Sequence, residues 1–270
     1  MLQVTSDLAS KLRRRHLECI MVFSDAFMAK ITEATTEMLR QCLILLVCLS
    51  LSFGCKADDK LFAVISINLK QEKLELFLND EDGKPFNRLD HLAAWLKSHN
   101  RQLIFAMNAG MYQPNFSPVG LLVINGKQVS PLNQADGTGN FFLKPNGVFL
   151  VSKSKPAIVD SVEYPTIAKG VQIATQSGPL LLRRGVIHPA FNPQSSSRLI
   201  RNGVGVSGSN VYFVMSKQPV SFYEMAIFFR KSLRCQDALY LDGVVSSLYS
   251  NGQIIGNDEA DIGPIVGVAQ

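Results

Sequence analysis

The sequence predicts an α+β fold, a single domain of mixed or antiparallel β-sheets with a few packed helices. Short apolar runs separated by Asn-Gly and other turn signals indicate many strands, and only two segments show a clear helical period. Parallel sheets need a crossover, usually a helix, between successive strands. Because no such alternation of strand and helix occurs, the pattern disfavours Rossmann-like and TIM-barrel folds.

The first elements are a predicted hairpin, Phe62–Asn68 with Lys73–Leu78, and a helix that follows Asn87 as its N-cap. Apolar residues recur on one face of this helix, at Leu89, Leu92, Ala93 and Leu96. A second helix is predicted over Ser221–Leu233, because Ser221 and Glu224 have the spacing of a capping box.

Two Asn-Gly pairs predict tight hairpins. Asn125-Gly126 joins Val119–Ile124 to a return strand at Val129, and Asn251-Gly252 joins Ser247–Tyr249 to Gln253–Ile255. The other predicted strands are Leu103–Met107, Phe141–Leu143, Gly147–Val151, Val171–Thr175, Leu180–Leu182, Val186–His188, Gly203–Val206, Val211–Met215 and Ala238–Leu241.

Composition excludes several classes of protein. The 270 residues are 47% hydrophobic and 18% charged, which is typical of a globular domain and excludes disordered, collagen-like and coiled-coil chains. The net charge of +5 arises from 27 Lys and Arg against 22 Asp and Glu, spread evenly along the chain. So mild a balance predicts no nucleic-acid partner.

A charge-free apolar run near the N-terminus, residues 42–53, follows Arg40. It is too short for a bilayer core, which needs about 20 residues, but it fits the apolar region of a signal peptide. Because signal peptides begin chains, we interpret residues 38–55 as a signal peptide. We then interpret residues 1–37 as an upstream extension from a start-site error, with translation beginning at Met38. The alternative is that they form a long n-region of the signal peptide.

The end of this run, Leu51-Ser-Phe-Gly-Cys55, resembles a bacterial lipobox and predicts lipidation of Cys55, although bulky Phe53 stands where a small residue is usual. Cleavage after Ala57, which would release a soluble protein, is the alternative. We therefore expect a periplasmic or outer-membrane lipoprotein of the bacterial cell envelope, or a secreted protein, with membrane contact only through a lipid. Residues 56–270 form the domain, whose one cysteine, Cys235, is predicted to be a buried small hydrophobe.

Elimination narrows the chemistry. The domain has three histidines (His91, His99 and His188) without metal-site spacing, and it has neither a G-x-S-x-G nor a P-loop motif. Catalysis would therefore depend on carboxylates, amides, hydroxyls and arginine, a set that suits carbohydrate or phosphate-ester chemistry.

Polar or glycine residues interrupt the apolar strands in four places: 105–120, 176–179, 195–205 and 239–247. Three of them, all except 176–179, have a plain interpretation beside the functional one. Asn108 could be a turn amide, Arg198 and Arg201 a solvated pair rather than an anion-binding fork, and Asp242 a turn cap rather than a site carboxylate.

Taken in order, these segments resemble the phosphodiester glycosidase family over about residues 60–268. The matching motifs are Asn108-Ala-Gly-Met-Tyr112, Pro118-Val-Gly120, Ser177-Gly-Pro179, Arg201-Asn-Gly-Val-Gly205 and Asp242-Gly-Val-Val-Ser-Ser247.

The chain departs from the family pattern at Ala109, at Asn202-Gly203 and at Val244-Val245, where the family has Gly, Thr-Ala and two glycines. Valine disfavours the positive φ that glycine permits, so the loop after Asp242 must take another shape.

The resemblance implies hydrolysis of a glycosyl-phosphate diester, with Asp242, Arg201 and Asn108 as catalytic residues. Asp242 would act as general base or nucleophile, and Arg201, with Arg198, would bind the phosphate. The implied substrate-binding residues are Gly110, Tyr112, Gly120, Gln176, Ser177, Gly178, Arg198, Asn202, Gly243, Ser246 and Ser247.

The implied partner is a glycan or sugar-phosphate substrate, and no cofactor is expected. Two alternatives stay open: a non-catalytic glycan- or polysaccharide-binding envelope protein, and a metal-dependent hydrolase. In the second, Asp136 and Asp242 would share a divalent cation. Asp136 is also the candidate second carboxylate of a metal-free enzyme.

Overall fold

The computed structural model describes residues 60–243, 245–257 and 259–270. The predictions for the extension, the signal peptide and Cys55 lie outside the described residues. Strands make up 41% of the structure and helices 13%, which confirms the α+β prediction. None of the described helices is long and apolar enough to cross a lipid bilayer.

The described residues form sixteen strands and three α-helices. The strands are β1 (Phe62–Asn68), β2 (Glu75–Phe77), β3 (Leu103–Asn108), β4 (Leu122–Ile124), β5 (Lys127–Ser130), β6 (Gly147–Ser152), β7 (Lys155–Asp160), β8 (Val171–Ser177), β9 (Leu180–Arg183), β10 (Val186–Ile187), β11 (Asn202–Ser207), β12 (Asn210–Ser216), β13 (Asp237–Asp242), β14 (Ser247–Ser250), β15 (Gln253–Gly256) and β16 (Ile265–Ala269). The helices are α1 (Leu89–Ser98), α2 (Tyr164–Ile167) and α3 (Phe222–Lys231), and a 3₁₀ turn covers Asn140–Phe142.

The strands form three antiparallel sheets. The first has the order β1-β12-β11-β13-β9-β10, the second β15-β14-β3-β16-β2, and the third β5-β4-β8-β6-β7. One phenylalanine from each sheet meets in a common core. The ring centroids of Phe105 and Phe213 are 5.0 Å apart, and those of Phe149 and Phe213 are 6.0 Å apart. The three sheets therefore pack around one hydrophobic cluster.

The two longer helices each cover one sheet. Helix α3 packs Met225, Ala226 and Phe229 against the first sheet, and helix α1 packs Leu92 and Leu96 against the second. This burial removes the apolar face of each helix from water, which stabilises the fold.

Several local predictions are confirmed. Both Asn-Gly turns have positive φ at their two central residues, as a type I′ turn requires. The capping box of α3 is complete: the Ser221 hydroxyl accepts from Glu224 N at 3.1 Å, and Glu224 Oε2 accepts from Ser221 N at 2.8 Å. Cys235 is buried, and burial raises its thiol pKa to about 12, so the predicted small hydrophobe is confirmed.

Other local predictions were wrong. Strands β1 and β2 do not form a hairpin, because β1 pairs with β12 and β2 pairs with β16. Residues 141–143 lie in and after the 3₁₀ turn rather than in a strand. Asn87 has φ of 57° and precedes the N-cap of α1, which is Arg88. Strands β7 and β16 and helix α2 were not predicted.

Candidate active site

Asp242 ends β13, where the strand leaves the hydrophobic core. The strand register places it opposite Asn202, whose Oδ1 accepts from the Asp242 backbone N at 2.9 Å. Its carboxylate accepts two hydrogen bonds: Oδ1 from Gly243 N at 2.7 Å, and Oδ2 from Asn108 Nδ2 at 3.4 Å. The carboxyl group is therefore held from both sides.

Asn108, at the end of β3, joins the second sheet to the first. Its Oδ1 accepts from Ser247 N at 2.8 Å and from Asn202 Nδ2 at 3.2 Å. Its Nδ2 donates to Val245 O at 3.1 Å as well as to Asp242. The full hydrogen-bonding capacity of this buried amide is used, so Asn108 fixes both the carboxylate and the turn after it.

The environment of Asp242 favours its protonated form. Burial raises the pKa of this carboxyl from its ordinary value to about 6, although hydrogen bonds from Gly243 N and from Asn108 act in the opposite direction. A carboxyl group that titrates near neutral pH can exchange protons under physiological conditions, which is a feature of catalytic acids and bases.

Asp242 opens onto a cleft of about 530 Å³. The described residues that line this cleft are Met111, Tyr112, Gln113, Pro114, Val119, Thr138, Gly139, Asn140, Phe141, Phe142, Asp242 and Val245. Within that described lining no lysine or arginine occurs, and Asp242 is the one carboxylate. The cleft thus offers aromatic walls and few polar groups, a composition typical of small-ligand sites.

Tyr112 forms part of an aromatic wall. Its hydroxyl donates to Asp261 O at 2.6 Å, and its ring stacks on Phe116 with centroids 5.8 Å apart. Burial raises the pKa of this phenol, and the nearby carboxylates of Asp242 and Asp261 raise it further. Tyr112 therefore faces the cleft as a neutral side chain.

The predicted glycine positions allow close packing around the cleft. A Cβ atom at Gly120 or Gly178 would lie 2.5 Å or 2.6 Å from a neighbouring side chain, and one at Gly110 would lie 3.1 Å from a hydroxyl. A Cβ atom at Gly243 would collide with the hydroxyl of Tyr240. Because these residues have no side chain, the loops approach each other more closely than side chains would allow.

Gln176 and Ser177 were predicted to contact substrate, but their side chains are engaged within the protein. Gln176 Oε1 accepts from Leu121 N at 3.0 Å and from Asn133 N at 2.9 Å, and its Nε2 donates to Asn133 O at 2.6 Å. The Ser177 hydroxyl donates to Leu241 O at 2.8 Å. Gln176 lies on β8 of the third sheet. Its hydrogen bonds with Asn133 attach to that sheet the segment that runs from Asn133 to the cleft-lining residues 138–142.

Replacing Gln176 with alanine is expected to lower the free energy of unfolding by roughly 1–3 kcal/mol, because buried backbone groups lose their partners. The loss is measured by urea denaturation. Gln172→Ala on the same strand is the control, since that side chain is exposed, and it should unfold like the wild type. Equal stability of the Gln176→Ala protein and the wild type would contradict this role.

The two serines that were predicted to bind substrate in the last turn of the site make hydrogen bonds within the protein instead. The Ser246 hydroxyl donates to Gly243 O, and the Ser247 backbone N donates to Asn108. Val244 lies outside the described residues, so the altered shape of the loop after Asp242 stays a prediction.

The two arginines do not form the predicted fork. Arg198 is exposed and pairs with Glu224 at 2.6 Å. Arg201 is only 1% exposed, and its guanidinium lies 3.7 Å from the ring centroid of Phe222 and donates from Nε to Val220 O at 2.9 Å. It is not among the described residues of the cleft lining. Because neighbouring residues of an extended chain point to opposite faces, Asn202 faces Asp242 and Arg201 faces α3.

The predicted roles of Asp136 gain no support from its position. Its side chain is 94% exposed and pairs with Lys144, whereas Asp242 is partly buried. Among the described residues, no group of three or more His, Cys, Asp or Glu could hold a metal ion. The buried His188 packs on Phe191 and contacts Lys144 O at 3.1 Å, which indicates a structural residue.

Sequence reasoning missed Asn140 and Tyr240. Asn140 starts the 3₁₀ turn that lines the cleft, directly before a segment that was predicted to be a strand. Tyr240 lies two residues before Asp242 on the same strand. Strand alternation could not have placed it, because the pairing of β13 with β11 shifts register between Tyr240 and Asp242.

Comparison with known proteins gives a consistent result. A family model described as phosphodiester glycosidase matches residues 101–268. The chain is 37% identical over 204 residues to the uncharacterized protein YigE of Escherichia coli (strain K12), an alignment that covers 74% of this chain and 80% of YigE.

Two solved structures share the fold. The catalytic domain of zebrafish N-acetylglucosamine-1-phosphodiester α-N-acetylglucosaminidase, auto-inhibited by its pro-peptide, aligns with a TM-score of 0.54 and 14% identity over 80% of this chain and 85% of that one. A hypothetical protein from Synechocystis aligns with a TM-score of 0.51 and 16% identity over 77% of this chain. The present chain spans 59% of the Synechocystis protein.

Proposed function

The chain belongs to the phosphodiester glycosidase family, and on this basis we propose that it hydrolyses a glycosyl-phosphate diester or a related sugar-phosphate linkage of envelope or extracellular glycans. The observation that carries the proposal is the environment of the Asp242 carboxyl group. Its carboxyl group, with a pKa raised to about 6, opens onto a cleft that also contains aromatic side chains.

The cleft suits the sugar half of such a substrate. The partly exposed rings of Tyr112 and Phe142 provide flat apolar surfaces against which the C–H faces of a sugar ring can pack. The described lining has no cationic side chain that would favour burial of the phosphate. We therefore place the sugar ring inside the cleft and the anionic phosphate at its solvent-exposed mouth.

In this function Asp242 acts in its ionised form. The bond between the anomeric carbon and the phosphate oxygen breaks, the phosphate monoester leaves with the bonding electrons, and the oxygen of water becomes bonded to the anomeric carbon. Asp242 either takes the proton of that water or first displaces the phosphate and bonds to the anomeric carbon itself. In the second course water then breaks this ester bond, which restores the Asp242 carboxylate and releases a proton to solvent. The first course inverts and the second retains the configuration at that carbon.

Asn108 holds the carboxylate in this position through its amide nitrogen. Because the phosphate monoester is a good leaving group, no second carboxylate is needed to protonate it. The resulting roles are Asp242 as the catalytic residue and Asn108 and Asn202 as positioning residues.

The N-terminal sequence supports a proposal about the place of action. We propose export through the signal peptide of residues 38–55, followed either by lipidation of Cys55 or by release after Ala57. The mass of the mature N-terminal peptide distinguishes the two.

The test is hydrolysis of methyl diesters of hexose 1-phosphates and N-acetylhexosamine 1-phosphates, followed by NMR. We expect equal amounts of free sugar and methyl phosphate from the wild type and neither product from Asp242→Asn. Activity that persists with a chelator argues against the metal-dependent alternative. Sugar binding without either product would overturn the proposal in favour of a glycan-binding protein.

A further inference from the structure

Asn140 lines the same cleft as Asp242 and comes from a different part of the chain. Its backbone is fixed on both sides. Gly139 precedes it with φ of 94°, a conformation that favours glycine, and the Asn140 carbonyl oxygen accepts from Leu143 N at 3.2 Å. The half-buried Asn140 therefore lines the cleft from a turn whose backbone conformation these features define.

Behind this turn lies a buried tyrosine. Tyr240 is buried, its ring lies 5.7 Å from the Arg201 guanidinium carbon, and its hydroxyl contacts the position that a side chain at Gly243 would occupy. The side chain of Asn140 interacts with this tyrosine and lowers its pKa. Burial raises the pKa of Tyr240 and the carboxylate of Asp242 raises it further, while Arg201 and Asn140 act in the opposite direction.

The guanidinium of Arg201 is held beside Tyr240 by its other contacts. Its Nη2 donates to Ser197 O at 3.3 Å, and the guanidinium stacks on Phe222. Its Nη1 is buried and makes no hydrogen bond with any described residue. The charge of Arg201 also lowers the pKa of Tyr240, so the guanidinium and the phenol interact across this short distance.

We propose that Asn140 binds a hydroxyl group of the sugar ring, and that Arg201 and Tyr240 act as positioning residues that fix its amide. An amide has one acceptor and two donors, so the groups that do not contact Tyr240 are free to face the cleft. A sugar hydroxyl both donates and accepts, and it needs no cationic partner. This inference rests on the proposed function.

A double-mutant cycle tests it. Asn140→Ala is expected to raise KM roughly tenfold with kcat changed less than about threefold, because a contact shared by ground and transition states is lost. Tyr240→Phe should raise KM by a smaller factor. The double variant should be no worse than Asn140→Ala alone, since the phenol acts through that amide. Asn192→Ala, an exposed amide outside the cleft, is the control and should match the wild type.

A KM within about twofold of the wild type for Asn140→Ala, or losses that simply multiply in the double variant, would overturn the inference. Titration of the phosphodiester into the Asp242→Asn background separates this failure from that of the proposed function. If the wild type hydrolyses the phosphodiester and Asn140→Ala leaves its binding unchanged, only the role of Asn140 is refuted. If the wild type binds the phosphodiester without hydrolysing it, and Asn140→Ala weakens that binding, only the proposed hydrolase activity is refuted.

Discussion

Replacing Asp242 with asparagine is expected to lower kcat by at least about 10³-fold and, at the same time, to make the protein more stable at pH 7.5. Activity falls because the amide can neither take a proton from water nor bond to the anomeric carbon. In the wild type, kcat/KM should decrease as the pH falls through about 6, where Asp242 becomes protonated.

The gain in stability follows from the raised pKa of Asp242. In the unfolded chain this carboxyl ionises near its ordinary value, but in the folded protein it keeps its proton up to about pH 6. The folded state therefore binds more protons between these values, and the free energy of unfolding decreases as the pH rises through them. The Asp242→Asn variant would avoid this cost, which is roughly 1–3 kcal/mol at pH 7.5 and vanishes below the unfolded pKa.

Urea denaturation at pH 7.5 and at a pH below 4 measures the difference, and a pH–rate profile measures the activity. Asp82→Asn, which changes an exposed carboxylate, is the matched control and should alter neither. Wild-type turnover by Asp242→Asn would remove Asp242 from the mechanism. A stability difference that is the same at both pH values would show that the carboxyl group is not perturbed by burial.

Replacing Asn108 with alanine should have the largest effect on the fold of the site, a loss of roughly 3–5 kcal/mol in the free energy of unfolding. The change leaves four buried groups without a partner: Ser247 N, Asn202 Nδ2, Val245 O and one oxygen of Asp242. Urea denaturation at pH 7.5 measures this loss.

Asn108→Asp makes the origin of the loss testable, because it keeps the Oδ1 acceptor and replaces only the donor. We expect intermediate stability and an acid limb of the pH–rate profile displaced upward, since two carboxylates would then face each other. Asn192→Ala serves as the exposed control. If Asn108→Ala unfolds like that control, the amide does not join the two sheets as inferred.

The local part of the fold could be predicted from the sequence, whereas strand pairing could not. The Asn-Gly turns and the capping box at Ser221 depend on adjacent residues, and both kinds of feature were correctly identified. The partner of β1 is β12, which lies over a hundred residues away, and no local pattern specifies that pairing. The starting hairpin was wrong for this reason.

The candidate site could likewise be predicted only in part. Polar residues at strand ends identified Asn108, Asn202 and Asp242, which the structure joins by hydrogen bonds. The same pattern also selected Gln176 and Arg201, whose polarity serves internal contacts. Sequence shows that a polar group interrupts an apolar strand, but only the packed structure shows whether that group faces the cleft or the backbone of a neighbour.

The anchoring of the cleft wall by Gln176 has an evolutionary consequence. The Asp242 carboxylate belongs to the first sheet and the Asn108 amide that positions it belongs to the second, but the segment that Gln176 holds is attached to the third. Under the proposed function, mutation and selection can therefore remodel that segment, and with it the choice of sugar, while Asp242 stays in place. Relatives that share one reaction but differ in the sugar they accept are the expected outcome of such an architecture.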